Sequence, residues 1–286
     1  MGVPRGPTDA LALIPLRLEA PAKLNLGLRV VGRRSDGHHL LDSQFVMLEL
    51  TDRLALLAGC SGLRVSGNPD PAVPLDATNL AWRGLVAGLG ATPDLACLVL
   101  DKRIPSEAGL GGGSSDAAAG WRLGRASVGR SDVADPGELV ELSSIGADVP
   151  FFASGTAAAR VTGIGEQIEP VEAVERQIVL IHPGFGLSTA AVFAELRPDE
   201  WGRAPNDLLA PALRLRPELG AVIDLVARAG GQPFLTGSGP TLFTMTDDPE
   251  RAAALAAGLV DRGLRATMTR TRTTSTHIEP ITEEDA

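Results

Sequence analysis

The chain contains no tyrosine and only two cysteines. Cys60 and Cys97 cannot build a disulfide framework, which sets aside the disulfide-stapled secreted folds and favours a reducing, cytoplasmic setting. Lysine is nearly absent as well. Of 26 basic residues two are lysines, Lys23 and Lys102, and the other 24 are arginines. Arginine serves wherever a surface cation will do, so a lysine that persists points to a need for a compact point charge. No apolar run approaches about 18 residues, which excludes a transmembrane helix. A basic excess is also missing: the net charge of -9 argues against nucleic acid and against anionic membranes as partners. Residues 1–17 carry Pro4, Pro7, Asp9 and Pro15, lack the apolar stretch of a signal peptide, and read as a flexible extension.

What is present is an ordinary globular composition, 44% hydrophobic and 21% charged, over 286 residues. That length can bury a large core and, at about 150 residues per domain, suggests two domains. Strands are expected at Leu16 to Val31 with a break at Pro21, and at Ser43 to Leu50, ending at Thr51-Asp52. Arg53 to Val65 reads as a strand pair around a Gly59 to Gly62 turn. A helix over Asp76 to Gly88, capped by Asp76 or Thr78, precedes a short strand at Ala96 to Leu100. Ala117 to Ala126 reads as a buried helix, Pro136 to Leu142 as a short one, and Ser143 to Pro150 as a loop. A hairpin is expected around Gly163-Ile164-Gly165. The charged Glu172 to Arg176 marks a domain change, dividing the chain into 18–175 and 176–286. Beyond it come an apolar strand at Gln177 to Ile181, helices between Ala190 and Ala229, a loop and strand over Phe234 to Met245, a helix at Pro249 to Arg262, a last strand at Leu264 to Arg270, and a loose tail from Pro280 to Ala286. Runs of strands followed by helices favour an α+β fold over a doubly wound sheet.

Chemistry concentrates in three places. From Pro105 to Asp116, four glycines and three serines, two of them adjacent, lie between a strand and a helix. Glycine lets backbone N–H groups converge, and the following helix adds unpaired donors and the positive end of its dipole, which together suit a di- or triphosphate. The loop lacks the Gly-Lys-Ser/Thr ending of a P-loop and does not fit the dinucleotide fingerprint. Lys23 lies on a half-buried strand, where an unpaired ammonium is costly; alone it also fits a solvated strand lysine. Asp148, between Gly146-Ala147 and Val149-Pro150, alone also fits a turn or cap aspartate. Together they supply what phosphoryl transfer to an alcohol needs: a phosphate cradle, a cation on the transferring group and a carboxylate to take the proton.

Pro-Ala-Lys-Leu-Asn at 21–25, Gly-Leu-Gly-Gly-Gly-Ser-Ser at 109–115 and Leu-Thr-Gly-Ser-Gly at 235–239 resemble the three motifs of the GHMP kinase superfamily. Arg33 to Leu41, Ser144 to Phe152 and His182-Pro183-Gly184 resemble, within it, the branch that acts on a cytidine diphosphate-linked methylerythritol. The resemblance runs from about Leu18 to about Ile278. It implies an N-terminal α+β domain like the second domain of a small-subunit ribosomal protein, a ferredoxin-like C-terminal domain, and a site in the cleft between them. The implied reaction is phosphorylation of the 2-hydroxyl of that small molecule with ATP and Mg²⁺, on the methylerythritol phosphate route to isoprenoid precursors.

By the same resemblance Lys23 and Asp148 match the catalytic pair, while Lys102, Pro105 and the run Gly109, Leu110, Gly111, Gly112, Gly113, Ser114 and Ser115 match the nucleotide site. Asn25, His38, His39, Thr189 and Phe193 match the substrate site, with His39 hydrogen-bonding cytosine and Phe193 stacking on it. No protein side chain is assigned to the metal, which is expected to stay on phosphate and water oxygens. Three departures stand out: His38 where the branch usually has tyrosine, Glu107 where a small residue is usual, and Pro240-Thr241 after the third motif. His182 and His277 read as structural, and Trp82, Trp121 and Trp201 as packing residues. The alternatives are a related kinase acting on mevalonate, homoserine or a sugar, a nucleotide-binding protein without catalysis, and an interaction domain that binds no ATP.

Overall fold

The computed structural model describes residues 13–67 and 73–282 of the chain. Its first strand, β1 (Leu16–Arg33), alternates buried and exposed side chains at both ends. β1 pairs antiparallel with β2 (His39–Ala58), a strand of 20 residues. Next come β3 (Gly62–Gly67), helix α1 (Leu80–Leu89), β4 (Ala96–Lys102) and helix α2 (Gly112–Ser127). Two short helices, α3 (Pro136–Leu142) and α4 (Val149–Ala153), lead into a hairpin of β5 (Ala158–Gly163) and β6 (Gln167–Pro170). The far edge of β2 is shared: residues 41–46 pair with β5 and residues 53–58 with β4.

The second half opens with β7 (Gln177–His182), followed by helices α5 (Thr189–Glu195), α6 (Leu209–Leu215) and α7 (Glu218–Arg228). Strands β8 (Phe234–Leu235) and β9 (Leu242–Thr246), helix α8 (Pro249–Val260) and strand β10 (Arg265–Arg270) complete a four-stranded sheet. Its order is β10-β7-β9-β8, antiparallel throughout, which is the ferredoxin-like arrangement. The α+β expectation is met. A final strand, β11 (Glu279–Pro280), returns to the first sheet and pairs with Leu16 and Arg17.

Five local expectations need correction. Residues 53–65 do not form a hairpin. β3 pairs in parallel with β4, because the chain crosses over through α1 before it adds the next strand. β2 does not end at Thr51-Asp52; it runs through them, and Asp52 is fully buried. Helix α1 is capped by Asn79, whose side chain accepts the N–H of Ala81, while Asp76 accepts the N–H and O–H of Thr78. Of the expected flexible extension, residues 1–12 lie outside the described residues, but Leu16 and Arg17 are strand, held on both sides. Pro280 of the expected tail is likewise strand, and residues 283–286 lie outside the described residues.

Helices α1 and α2 cover one face of the first sheet, burying Leu85, Ala119 and Leu123 against Leu18, Leu54, Leu98 and Leu100. They cross at backbone contact. A Cβ on Gly84 would stand 1.9 Å from the Ala117 carbonyl oxygen, and one on Gly120 would stand 2.2 Å from that of Ala81. A separate cluster joins the two halves: Leu24 and Leu48 of the first sheet pack with Leu110, Ile178, Leu180 and Phe243. That shared core fixes the glycine loop between the two sheets.

Candidate active site

A cleft of about 550 Å³ opens where the loop before α2 meets β1 and the 236–239 turn. Lys23, Asn25, Lys102, Pro105, Gly109 to Ser114, Asp148, Thr189 and Phe193 all line it. β1 is irregular on both sides of Lys23: the register with β2 shifts between Pro21 and Lys23 and again between Asn25 and Gly27. Such bulges re-aim a side chain off the sheet face. The Lys23 ammonium is thereby turned inward, 4% exposed, and lies 3.2 Å from an Asp148 carboxylate oxygen. It also donates to Asn25 Oδ1 at 2.7 Å and stands 4.9 Å above the centre of the Phe45 ring. Asn25 in turn donates to Ser43 Oγ at 3.0 Å, and its N–H reaches Thr236 Oγ1 at 3.1 Å. The lysine is therefore a buried, fully partnered cation and not a solvated strand residue.

Asp148 occupies the N-cap position of α4 but makes no side-chain capping bond. Its carboxylate, 27% exposed, instead meets Lys23 at the cleft wall. A carboxylate in a cap position that does not cap is free for chemistry, which separates it from the turn or cap aspartate that the sequence alone allowed.

Helix α2 begins at Gly111, which takes the left-handed conformation (φ 70°) and has no side-chain cap. Its first N–H groups are thus left for an anion. A Cβ at Gly111 would stand 3.0 Å from both Cγ and Cε of Lys23, so glycine is what lets the lysine stem lie against the loop. The second glycine cluster abuts the first: a Cβ at Gly109 would stand 2.8 Å from the Thr236 carbonyl oxygen. Gly237 and Ser238 line the same cleft, and Ser238 Oγ is 2.8 Å from Thr189 Oγ1 at the start of α5. Ser115 does not line it; its hydroxyl is buried without a hydrogen-bond partner.

Lys102 forms a second buried cluster, its ammonium bonded to Asp52 and, at 2.8 Å, to Asp116. Asp52 also accepts the N–H groups of Arg103 and Ile104. Burial opposes the lysine's charge, but the two carboxylates outweigh it and raise its pKa. Burial, reinforced by Asp52 and opposed by Lys102, pushes Asp116 up to about 8. Sequence reading assigned no role to Asp52 or Asp116. The only signal was Asp116 as the last residue of the glycine-rich run.

Phe193 lines the cleft; His39 is not among the lining residues but stacks on Phe193, ring centres 5.3 Å apart and planes at 26°, and meets Trp201 edge-on at 5.8 Å. Burial, with Arg33 adding, lowers the His39 pKa, so the ring is neutral at pH 7. Trp201 belongs to this aromatic group as well as to the packing of the second half, and nothing in its sequence surroundings marked it. His38 is not brought to the cleft. Asp36 accepts its N–H at 3.2 Å and sits 3.3 Å from its ring, leaving the side chain 66% exposed.

Glu107 lies on the loop with φ 52°, and its carboxylate reaches toward Gly186. Left-handed backbone is strained for a side-chain-bearing residue. Glu107→Gly is expected to raise stability by about 1 kcal/mol, read as a higher urea midpoint; an unchanged or lower midpoint would mean the carboxylate's own contacts outweigh the strain.

This geometry matches known proteins. Family models described as the GHMP kinases N-terminal domain and the GHMP kinases C-terminal match residues 79–156 and 190–264. The chain is 37% identical to the 4-diphosphocytidyl-2-C-methyl-D-erythritol kinase of Dinoroseobacter shibae, covering 87% of this chain and 91% of that one. It is 38% identical to the enzyme of the same name from Mesorhizobium japonicum, covering 91% and 96%. The chain belongs to the 4-diphosphocytidyl-2-C-methyl-D-erythritol kinase family. A crystal structure of 4-(cytidine 5'-diphospho)-2C-methyl-D-erythritol kinase superposes on it with a TM-score of 0.75 at 33% identity, covering 89% of this chain and 98% of that one. As a member of this kinase family the protein is a small-molecule kinase, as its motifs led one to expect. Among the described residues, no helix is long and apolar enough to cross a membrane.

Proposed function

We infer that the chain transfers the γ-phosphoryl of ATP to the 2-hydroxyl of 4-diphosphocytidyl-2-C-methyl-D-erythritol, releasing the 2-phosphate and ADP. The observation that carries this reading is the buried Lys23 ammonium, 3.2 Å from Asp148, beside the uncapped start of α2. The cleft's 550 Å³ and its glycine floor fit a triphosphate. Asp148 is positioned to accept the hydroxyl proton as the oxygen attacks phosphorus in line. Lys23 holds that carboxylate and places positive charge where the transferring group is most negative. Backbone N–H groups from Gly111 to Ser114 face the cleft to hold the β- and γ-phosphates, whereas the Ser115 N–H is bonded to the Gly111 carbonyl.

Among the described residues, no group of three His, Cys, Asp or Glu side chains could hold a metal ion. Mg²⁺, which keeps its waters where it can, would sit on phosphate and water oxygens and supply charge neutralisation there. Phe193, which lines the cleft, and His39, stacked on it, present an apolar ring beside a neutral imidazole and suit a cytosine base. Asn25 and Thr189 line the stretch between, toward the diphosphate and polyol. The cleft is read as lying between domains of residues 18–175 and 176–286, and the free Cys60 and Cys97 suit a cytoplasmic enzyme.

The test is ADP release with ATP, Mg²⁺ and a panel of diphosphocytidyl methylerythritol, mevalonate and homoserine. Turnover with the cytidine compound alone is expected. Turnover with another alcohol would overturn the acceptor assignment, and no ADP from any of them would overturn the kinase reading.

A further inference from the structure

The mechanism above does not use the buried cluster of Lys102, Asp52 and Asp116. Asp116 is 3% exposed and stands in the second turn of α2, directly below the proposed phosphate cradle. One of its oxygens takes Lys102 at 2.8 Å. The other, Oδ1, is buried with no hydrogen-bond partner, although the residue borders the cleft. Lys102 lies under the helix start, its Nζ 3.4 Å from where a Cβ of Gly112 would stand. The cluster holds one ammonium and two carboxylates, all with side chains at most 6% exposed. With both carboxylates ionised it would carry a net negative charge, buried, beneath a site that must receive several more. Desolvation and repulsion both oppose that state. A single proton on the unpartnered oxygen makes the cluster neutral and turns Oδ1 from a stranded acceptor into a donor.

We propose that Asp116 is a positioning residue that works as a neutral carboxylic acid: it carries a proton on Oδ1 in the nucleotide complex, and ATP binding requires that proton. The inference rests on the reading of the cleft as an ATP site. Lys102 from β4 and Asp52 from β2 are the charged groups that face Asp116. The others near the start of α2, Lys23 of β1 and Asp148 before α4, pair with each other. The raised pKa of Asp116, about 8, agrees with the geometry. Oδ1 was passed over in sequence because an aspartate in a helix's opening turns usually serves as a solvated partner of the dipole.

Linkage to one proton weakens binding about tenfold per pH unit once the free protein loses the proton. The experiment is calorimetric titration of the full chain with Mg·ATP, no acceptor present, from pH 7.0 to 9.5 in two buffers of different ionisation enthalpy. Phosphate groups of the nucleotide titrate below this range. Wild-type protein is expected to take up close to one proton on binding at the alkaline end, with Kd rising about tenfold per unit there. Asp116→Asn, whose amide donates at the same position without titrating, is expected to bind at pH 7.0 within about threefold of wild type. At pH 9.5 it should bind at least about tenfold more tightly than wild type, with no proton uptake. A purely structural carboxylate would give no gain at high pH.

Equal pH slopes in the two proteins, or a flat wild-type profile, would overturn the proposal while leaving the ATP site intact. No binding by wild type at any pH would instead overturn the ATP reading, and this inference with it. If Asp116→Asn does not fold, the aspartate ¹³C carboxyl resonances of wild type decide: one buried carboxyl still protonated at pH 7 supports the proposal, and complete ionisation overturns it.

Discussion

Asp148→Asn is expected to lower kcat by at least about a hundredfold while Mg·ATP still raises the Tm. The substitution removes the only function this site demands of Asp148, acceptance of a proton, and little else. An asparagine carbonyl can still accept from the Lys23 ammonium, which lies 3.2 Å from the carboxylate it replaces. Lys23 keeps its bond to Asn25, so the neighbourhood stays filled and paired. Since Asp148 makes no capping bond to α4, no helix terminus is exposed by the change. The loss should therefore fall on kcat, with little change in the KM for ATP. Near-normal turnover would remove Asp148 as the base and leave Lys23 and the helix start to act by charge alone.

The second large effect concerns stability. Gly84→Ala should destabilise the protein by about 3 kcal/mol or more, seen as a lower urea midpoint. The added methyl would sit 1.9 Å from the Ala117 carbonyl oxygen. That neighbour is backbone in the middle of α2 and cannot swing aside as a side-chain tip could. Gly88 and Gly120 make similar approaches, 2.3 Å to the Trp121 oxygen and 2.2 Å to the Ala81 oxygen, so the two helices have no spare separation. Because α2 starts at the phosphate cradle, any accommodation must move that start. A midpoint equal to wild type would mean that α1 and α2 can part, and would undercut the view of the cradle as a rigid seat.

The motifs were readable because each is local. Lys23, the 109–115 run and the 235–239 run announce themselves by composition, and each lies in the cleft or against it. The α+β class followed from the order of runs. What escaped reading depended on partners distant in sequence. Thr51-Asp52 looked like a strand end because a buried aspartate is costly; Lys102, 50 residues on, is what makes it tolerable. The β3–β4 pairing was hidden because nearness in sequence suggested a hairpin, whereas the crossover through α1 put β4 between β2 and β3. The glycines at 84, 88, 120 and 124 are spaced four apart on each helix, a pattern that gains meaning only once the two helices are known to cross. His38 was placed with the substrate by its neighbours in the motif, but the Asp36 turn holds it in solvent.

The pairing of β11 with β1 joins Leu16 to Pro280 across almost the whole chain. Arg122 adds a second tie in the same region, donating to the hydroxyl and carbonyl of Thr276. In vectorial synthesis this orders events. The first sheet and its two crossing helices can form early, but the outer edge of β1 at Leu16 and Arg17 stays open until β11 is made. For all that interval the nascent chain presents an unpaired strand edge to its neighbours on the polysome. The ferredoxin-like half, made in between, must fold without drawing in that edge. The first sheet is thus closed late: β11, made after every other strand described, pairs with β1, the strand made before them all.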